Sequence, residues 1–438
     1  MSQLTKSWAH RILHMYIEAN GFGSNDFRND CITKLFYAMI PLNLLYPCLE
    51  ICGLYISVSS SQFNPITVLL QFQYLLFFIG VNVIVIFDYT FFKQRLLACI
   101  MHVKRVPRCI SWTEEALEWR ANDREVKLFV LCFLCTLYPA AFIATIVSPG
   151  VRFGLSINST FIVFPVWYPC DVMARPAFFW TAYVCETVMI WLAAHYVVSN
   201  NFLFIYIVMS TRLRFNILAN YFGDITTPKM WKFRNSRHST GDVSGMSLVT
   251  NINKDVMDII LVHPEQLTEF LKSKRLIDGL MDLLLLRRQR DLINNAWQMF
   301  LNSCDSVTML SNALMTFAAT YEIRNSGGKA AVDVMMFTSY FLGSILVLFS
   351  VCHFSTLLQD AHDNLLVALW GSEWTTDGIK FKKLFFLSMV SLRRPFVLKF
   401  YSHYPINLKG FAKSISSSWS FFLFLYQISS KKEVYRAI

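Results

Sequence analysis

The chain has 438 residues, of which 55% are hydrophobic and 16% charged, and its formal net charge is +11. A soluble protein carries about 25% charged residues, so this composition argues against a soluble domain and for a multi-span membrane protein. The basic residues cluster between apolar runs, where membrane orientation explains them better than phosphate binding. No nucleic-acid partner is therefore expected.

Seven apolar runs approach the roughly 20 residues that a membrane-spanning helix needs. They cover residues 32–58, 66–91, 126–148, 178–209, 295–320, 331–354 and 406–429. We therefore predict an all-α membrane protein with seven transmembrane helices. The fifth run is polar on one side and contains Asp305, which at that depth must face protein or water.

The runs divide the chain into segments. Residues 1–31 form a predicted cytoplasmic N-terminal segment, and 32–209 contain the first four spans. Residues 210–294 form a cytoplasmic region with a polar linker at 227–253 and helical apolar spacing at 264–290. Spans five and six follow at 295–354, a cytoplasmic anchor region with a broken helix at 355–405, and the last helix with an extracellular tail at 406–438.

The distribution of basic residues predicts the orientation. Lysine and arginine are abundant between spans two and three and between spans four and five, and scarce in the alternate loops. The positive-inside rule then places the N-terminus in the cytoplasm and the C-terminus outside. The sequon at Asn158 falls in a loop predicted to be outside, so Asn158 is a predicted glycosylation site.

The last sixty residues contain two apolar helices separated by prolines. The first is predicted at 379–394, and Pro395 and Pro405 interrupt the chain before the final helix. That final helix has a serine-rich side and ends near Gln427. Polar groups at membrane depth need protein partners or water. The serines therefore indicate either a pore lining or a packing face against another helix.

Aromatic, methionine and hydroxyl side chains concentrate in the outer halves of four spans. Such a set suits a small, mostly apolar ligand, although ordinary helix packing explains the same residues. Glu186 is the exception, and it is protonated, paired, or placed for a polar ligand group. The candidate ligand-binding residues are Phe72, Tyr74, Leu75, Phe78, Tyr138, Phe142, Thr145, Phe179, Tyr183, Glu186, Thr187, Ile190, Met335, Phe337, Thr338 and Phe341.

Other function classes lack their motifs. No metal-ligand spacing, nucleophile elbow or glycine-rich phosphate loop is present, so no enzyme activity, metal or cofactor is expected. His353, His362 and Asp363 are assigned to a solvated loop. A G-protein-coupled receptor is disfavoured because Asp123 and Arg124 precede the third span without the expected tyrosine, the last span has no Asn-Pro-x-x-Tyr, and the predicted orientation is inverted.

The end of the chain resembles the insect odorant receptors. The resemblance is carried by RRPFVLKFYSHYPINLKGF at 393–411 and SSSWSFFLFLYQ at 416–427. It extends to Trp-Tyr-Pro-Cys-Asp at 167–171, where that family has Trp-Tyr-Pro-Phe-Asp, and to the basic-aromatic step at 212–218. Trp419 and Phe421 stand where tyrosines are commoner in the family.

The resemblance implies a subunit of an odorant-gated, non-selective cation channel in a sensory neuron's dendritic plasma membrane. It implies a heteromeric, tetrameric assembly with a shared co-receptor, the last helices lining the pore and no G protein required. The expected partners are that co-receptor, a small volatile organic ligand and membrane lipid. By the same likeness, Phe424 falls at the apolar gate and Gln427 at the adjacent polar ring. A gustatory receptor subunit and a membrane solute carrier remain the alternatives.

Overall fold

The computed structural model describes residues 11–13, 15, 31–59, 68, 71–72, 75, 93–103, 109–110, 112–147, 168, 176–225, 264–326, 331–401 and 403–437. The predicted ligand residues Tyr74 and Phe78, the sequon residue Asn158 and the linker 227–253 lie outside this part of the chain. Nearly all of the described residues are helical.

The described helices are numbered in chain order. Their bounds are α1 Cys31–Ser59, α2 Lys93–Val103, α3 Trp112–Ala121, α4 Asp123–Phe142, α5 Pro176–Gly223, α6 Pro264–Ser326, α7 Ala331–Trp370, α8 Ile379–Leu392 and α9 Leu408–Ala437. A π-helical turn, Ile143–Val147, continues α4, and a 3₁₀ turn, Trp374–Thr376, precedes α8. Helices satisfy their own backbone hydrogen bonds, which is the requirement for crossing lipid.

Three described helices are long and apolar enough to cross a membrane. They occupy Asp123–Val147, Pro176–Gly223 and Phe337–Thr376, and Leu45–Ser59 is a shorter apolar helix of the same kind. These segments coincide with the first, third, fourth and sixth predicted spans. The prediction of an all-α membrane protein is confirmed.

Two helices run through boundaries that the sequence suggested. The 63-residue α6 joins the helical segment at 264–290 to the fifth predicted span, and it is roughly 95 Å long by the rise per residue of a helix. The 40-residue α7 continues well past residue 354. Since the hydrocarbon core of a bilayer is about 30 Å thick, both helices extend far beyond it.

The assignment of His353, His362 and Asp363 to a solvated loop is wrong, because α7 includes all three. His353 Nε2 lies 2.9 Å from Glu125 Oε1 on α4. His362 is 1% exposed and packs against the Phe396 ring. The charges that suggested a loop instead lie along a helix that is buried on one side.

The main hydrophobic core surrounds the second half of α5. Residues 198–219 of this helix are all buried or partly buried, although serines, asparagines and arginines interrupt its apolar residues. Neighbouring helices fill the space around it with large, fully buried side chains: Phe133, Trp297, Phe300, Phe354, Phe381 and Phe385.

A buried ion pair fixes the short helices α2 and α3 against α5. Arg214 on α5 donates to Glu115 on α3 at 3.2 Å and to the backbone carbonyl of Val103, the last residue of α2. Burial raises the pKa of the Glu115 carboxyl group, and the Arg214 guanidinium opposes that shift. Removing one partner would leave the other charge buried and uncompensated, so the pair holds the three helices together.

The predicted break between the last two helices is present. Between α8 and α9, Lys399–Phe400 pairs with Tyr404–Pro405 in a short antiparallel hairpin. Tyr401 in its turn has a φ of 48°, a left-handed conformation that non-glycine residues rarely adopt. Its backbone N–H donates to Asn302 Oδ1 at 2.7 Å, which ties the hairpin to α6.

A glycine contact allows a test of the packing between α5 and α6. A Cβ at Gly279 on α6 would lie 2.5 Å from the ring of the fully buried Phe222. We expect Gly279→Ala to destabilise the protein by about 1–3 kcal/mol, since overpacking forces neighbouring groups to move. The measurement is the thermal denaturation midpoint of the purified protein.

Gly223→Ala is the matched control, because a Cβ there meets nothing within 4 Å. It should leave the midpoint unchanged or raise it slightly through higher helix propensity. Equal midpoints for the two variants would contradict the packing argument.

Candidate functional site

A second hydrophobic cluster, separate from the main core, brings five helices together. We call it the outer cluster. Its members come from α1, from α4 and the π-turn that continues it, and from α5, α6 and α7. The buried members are Tyr46, Ala141, Ala144, Met189, Ile190, Met315, Ala318 and Phe337, with Tyr168, Phe179, Tyr183, Trp191 and Tyr340 among the partly buried ones.

Four candidate ligand residues belong to this cluster: Phe179, Tyr183, Ile190 and Phe337. The rings of Phe179 and Tyr183 are parallel, with centroids 6.4 Å apart. Tyr183 also donates a hydrogen bond to the Thr145 carbonyl at 2.7 Å. The last carbonyls of a helix lack intrahelical partners, so Tyr183 both lines the cluster and caps the π-turn.

Glu186 is fully buried at the edge of the outer cluster. It accepts a hydrogen bond from the Tyr168 hydroxyl, and Tyr168 is hydrogen-bonded in turn to Tyr46 on α1. The sequence left three roles open for Glu186, which could be protonated, paired, or placed for a polar ligand group. The structure shows it with a polar partner. The row of Tyr46, Tyr168 and Glu186 links α1 to α5 through the segment that precedes α5.

Other candidate residues lie apart from the cluster. Phe142 is 47% exposed, Met335 52% and Phe72 40%, and Thr338 is exposed with its hydroxyl bonded to the Val334 carbonyl. Tyr138 packs against the main core, and its hydroxyl lies 3.2 Å from His195 Nδ1. Four further candidates are partly or fully buried and do not belong to the cluster: Leu75, Thr145, Thr187 and Phe341.

Two polar residues of this region were missed by the sequence analysis. Tyr46 and Glu50 lie four residues apart on α1 and are 3% and 0% exposed. The first span had contributed nothing to the predicted pocket. The signal was available, because an acid within a run of apolar residues is expensive at membrane depth unless it has a role.

The serines of α9 divide into two groups. Ser414 donates to Asp305 Oδ1 on α6 at 2.6 Å, and Ser418 is buried. Ser416, Ser417 and Ser420 are exposed. The spacing of four between Ser414 and Ser418 puts one serine row against protein, so the packing interpretation holds for that row. The exposed serines remain available for a pore lining.

One face of α9 between Trp419 and Ile428 is exposed. Phe424 is 55% exposed and Trp419 57%, and Leu423 and Ile428 are exposed beside them. Gln427 is also exposed. This face combines large apolar groups with a polar amide near the end of the helix.

Comparison with known proteins identifies the family. The sequence model described as 7tm Odorant receptor matches residues 64–418, which is most of the chain. The chain belongs to the 7tm odorant receptor family. Among curated protein sequences, none matches the chain. Receptors of this family are not enzymes by fold or family. In the part of the chain that the structure describes, no group of three or more His, Cys, Asp or Glu side chains is placed to hold a metal ion.

Solved structures share the fold of this odorant receptor. The insect olfactory receptor OR5 from Machilis hrabei in complex with eugenol has a TM-score of 0.72 and 11% identity, covering 97% of this chain and 98% of that one. A second structure of the same receptor has a TM-score of 0.71 and 12% identity, with the same coverage. The likeness at this identity shows the fold.

The hydrogen bond between Tyr168 and Glu186 can be tested with a double-mutant cycle. We expect Tyr168→Phe to destabilise the receptor by about 1–3 kcal/mol, because a buried acceptor loses its donor. In a Glu186→Gln background the same change should cost less, since the two residues are coupled. Thermal unfolding of the purified receptor measures both steps.

Thr181→Ala is the control for this cycle. The Thr181 hydroxyl is exposed and bonds only to the Ala177 carbonyl of its own helix among the described residues. Its effect should add to that of Glu186→Gln. If Tyr168→Phe were equally additive, the coupling would be absent.

Proposed function

We propose that this odorant receptor is a subunit of a ligand-gated, non-selective cation channel. A small volatile binds in the outer cluster, and the bound state favours an arrangement in which α9 is displaced and the pore is open. The proposal depends on one observation. In a single subunit of this family member, α9 has an exposed face. Lipid can cover Phe424, but the Gln427 amide on the same membrane-buried helix needs another subunit or water beside it.

The ligand part of the proposal is supported by the composition of the outer cluster. Aromatic rings, methionines and a few hydroxyls surround it, which is the lining that small apolar ligands use. The fold also has a precedent, since OR5 was solved with eugenol, a small aromatic volatile. For this chain the proposed contacts are Phe179, Tyr183, Ile190 and Phe337, together with Thr145 and Glu186 at the edge.

The pore part is supported by α9. Phe424 and Gln427 are three residues apart and therefore project from neighbouring sides of the helix. A ring of Phe424 side chains would close the pore by dewetting, and a ring of Gln427 side chains would contact passing ions. Because the chain is proposed as a tuning subunit, the remaining pore helices come from a co-receptor.

The membrane orientation belongs to the same proposal. The basic loops favour a cytoplasmic N-terminus and an extracellular end of α9, so the outer cluster would face the cell exterior. Plasma-membrane placement, and glycosylation of Asn158 on that side, follow from this orientation.

Heterologous expression tests the channel. Cells that express this receptor with a co-receptor should give a cation current when exposed to a panel of volatiles that includes eugenol. The current should persist with G-protein inhibitors, because the receptor is itself part of the channel. Cells with the co-receptor alone, or this chain alone, are the controls. Loss of the response under the inhibitors would overturn direct gating.

The pore assignment is tested by a charge change. Gln427→Lys should lower the permeability of divalent relative to monovalent cations, because a ring of positive charge repels them more strongly. Reversal potentials in paired salt solutions measure the change. Gln359→Lys makes the same substitution on α7, outside the proposed pore, and should leave the ratios unaltered. Unchanged ratios in the Gln427→Lys channel would remove this residue from the pore.

A further inference from the structure

Glu50 on α1 is a buried acid that the proposed function leaves without a role. Its side chain is 0% exposed, and neither carboxylate oxygen has a hydrogen-bond partner among the described residues. The second acid of this region, Glu186 on α5, is near enough to interact with it electrostatically. Burying a carboxylate is strongly unfavourable unless hydrogen-bond donors or a positive charge accompany it.

The two acids differ in what they offer a ligand. Glu186 already accepts a hydrogen bond from Tyr168, which orients its carboxylate. Glu50 retains two acceptor oxygens with several lone-pair sites. A ligand group that completes this place must donate more than one hydrogen bond, and a positively charged group also allows both acids to ionise side by side.

Two aromatic side chains, Tyr46 and Tyr168, lie beside these acids, since Tyr168 bonds to Glu186 and to Tyr46. Tyr46 is four residues before Glu50 on α1, so both lie on one side of that helix. Tyr168, Phe179, Tyr183 and Trp191 belong to the same cluster. Aromatic faces attract organic cations, and a pairing of such faces with a carboxylate is the chemistry that holds an ammonium group.

We propose that the outer cluster binds a small protonated amine, whose ammonium group donates hydrogen bonds to Glu50 and is held between the Glu50 and Glu186 carboxylates. The inference deepens the proposed function, since it names the ligand class of that same site and rests on its being the odorant site. The alkyl or aryl part of the amine packs against the aromatic walls.

Two other ligand classes fit these observations less well. An alcohol has one hydroxyl donor and no charge, so it cannot balance the charge of two neighbouring carboxylates. An inorganic cation gains little from aromatic and methionine walls, and it favours several oxygen ligands. An ammonium group supplies up to three donors and a positive charge, and its substituent uses the apolar surface.

Binding to the purified full-length receptor tests the amine directly. The probes are 2-phenylethylamine and 2-phenylethanol, which differ only in the polar group. At neutral pH the amine should raise the thermal denaturation midpoint and bind more tightly than the alcohol. E50Q should weaken amine binding at least about thirtyfold, the lower end of what breaking a buried charge pair produces. It should leave alcohol binding within about threefold, a change below about 1 kcal/mol.

The control variant is Tyr55→Phe on the same helix, where the side chain is 74% exposed. It should leave binding of both probes unchanged. E50Q removes a buried acid without changing its shape, so its own unfolding midpoint should not fall. The binding measurements are repeated with sodium chloride replaced by an osmolyte at equal osmolarity, which checks whether an inorganic cation occupies the site. If E50Q no longer weakens amine binding under that condition, the amine assignment is overturned.

The outcome separates this inference from the channel function. Equal binding of amine and alcohol, or amine binding that E50Q does not weaken, overturns the inference. If neutral volatiles evoke current while the amine fails to bind, the inference fails and the channel stands. If the amine binds through Glu50 and no volatile evokes current, the inference stands and the proposed channel fails.

Discussion

Every face of α5 is covered by other helices over residues 198–219, and the rest of the packing follows from this burial. Polar groups in that stretch need partners inside the protein, and its two arginines find them on other helices. Arg214 pairs with Glu115 on α3. Arg212 lies 3.1 Å from Glu125 on α4, and Glu125 also bonds to His353 on α7. The central helix therefore fixes the positions of α3 and α4 by direct polar contacts as well as by volume, and Glu125 extends the link to α7.

The two halves of α5 differ in a way that bears on function. Its second half lies within the main core among fully buried aromatic rings, where interiors pack closely and tolerate little change. Its first half belongs to the outer cluster, where Phe178, Trp180 and Val184 are exposed. Both Glu50 and Thr187 have buried oxygens there without hydrogen-bond partners among the described residues. Buried polar atoms without partners in the part of the chain that the structure describes also occur in the second half, at Asn201 and Ser210, so it is the exposed aromatic face of the first half that distinguishes the two.

The hydropathy pattern predicted the helices because a chain that crosses lipid has few structures available other than a helix. The features that this pattern missed were missed for physical reasons. The continuity of α6 was missed because charged residues at 287–291 separate its two apolar parts, yet a helix leaving the membrane accepts charges freely. Glu50 was missed because hydropathy is averaged over a long apolar run, and one acid hardly changes that average. Asp305 was expected to face protein or water, and it accepts a hydrogen bond from Ser414. Composition cannot tell inward from outward faces, so the predicted ligand residues include exposed ones such as Phe142 and Met335 as well as buried ones.

The helix α6 provides a physical connection between the proposed ligand site and the proposed pore. Met315 and Ala318 of α6 belong to the outer cluster, and Asp305, about 15 Å earlier along the same helix, binds Ser414 of α9. Near the start of α9, the Leu408 N–H donates to Thr356 Oγ1 on α7 at 3.0 Å. The beginning of α9 is thus held by α6 and α7, whereas its residues 419–428 have an exposed face. In the proposed channel, a ligand that shifts α6 at Met315 would act on α9 through the Asp305–Ser414 bond, and the exposed face of α9 would be the part that responds.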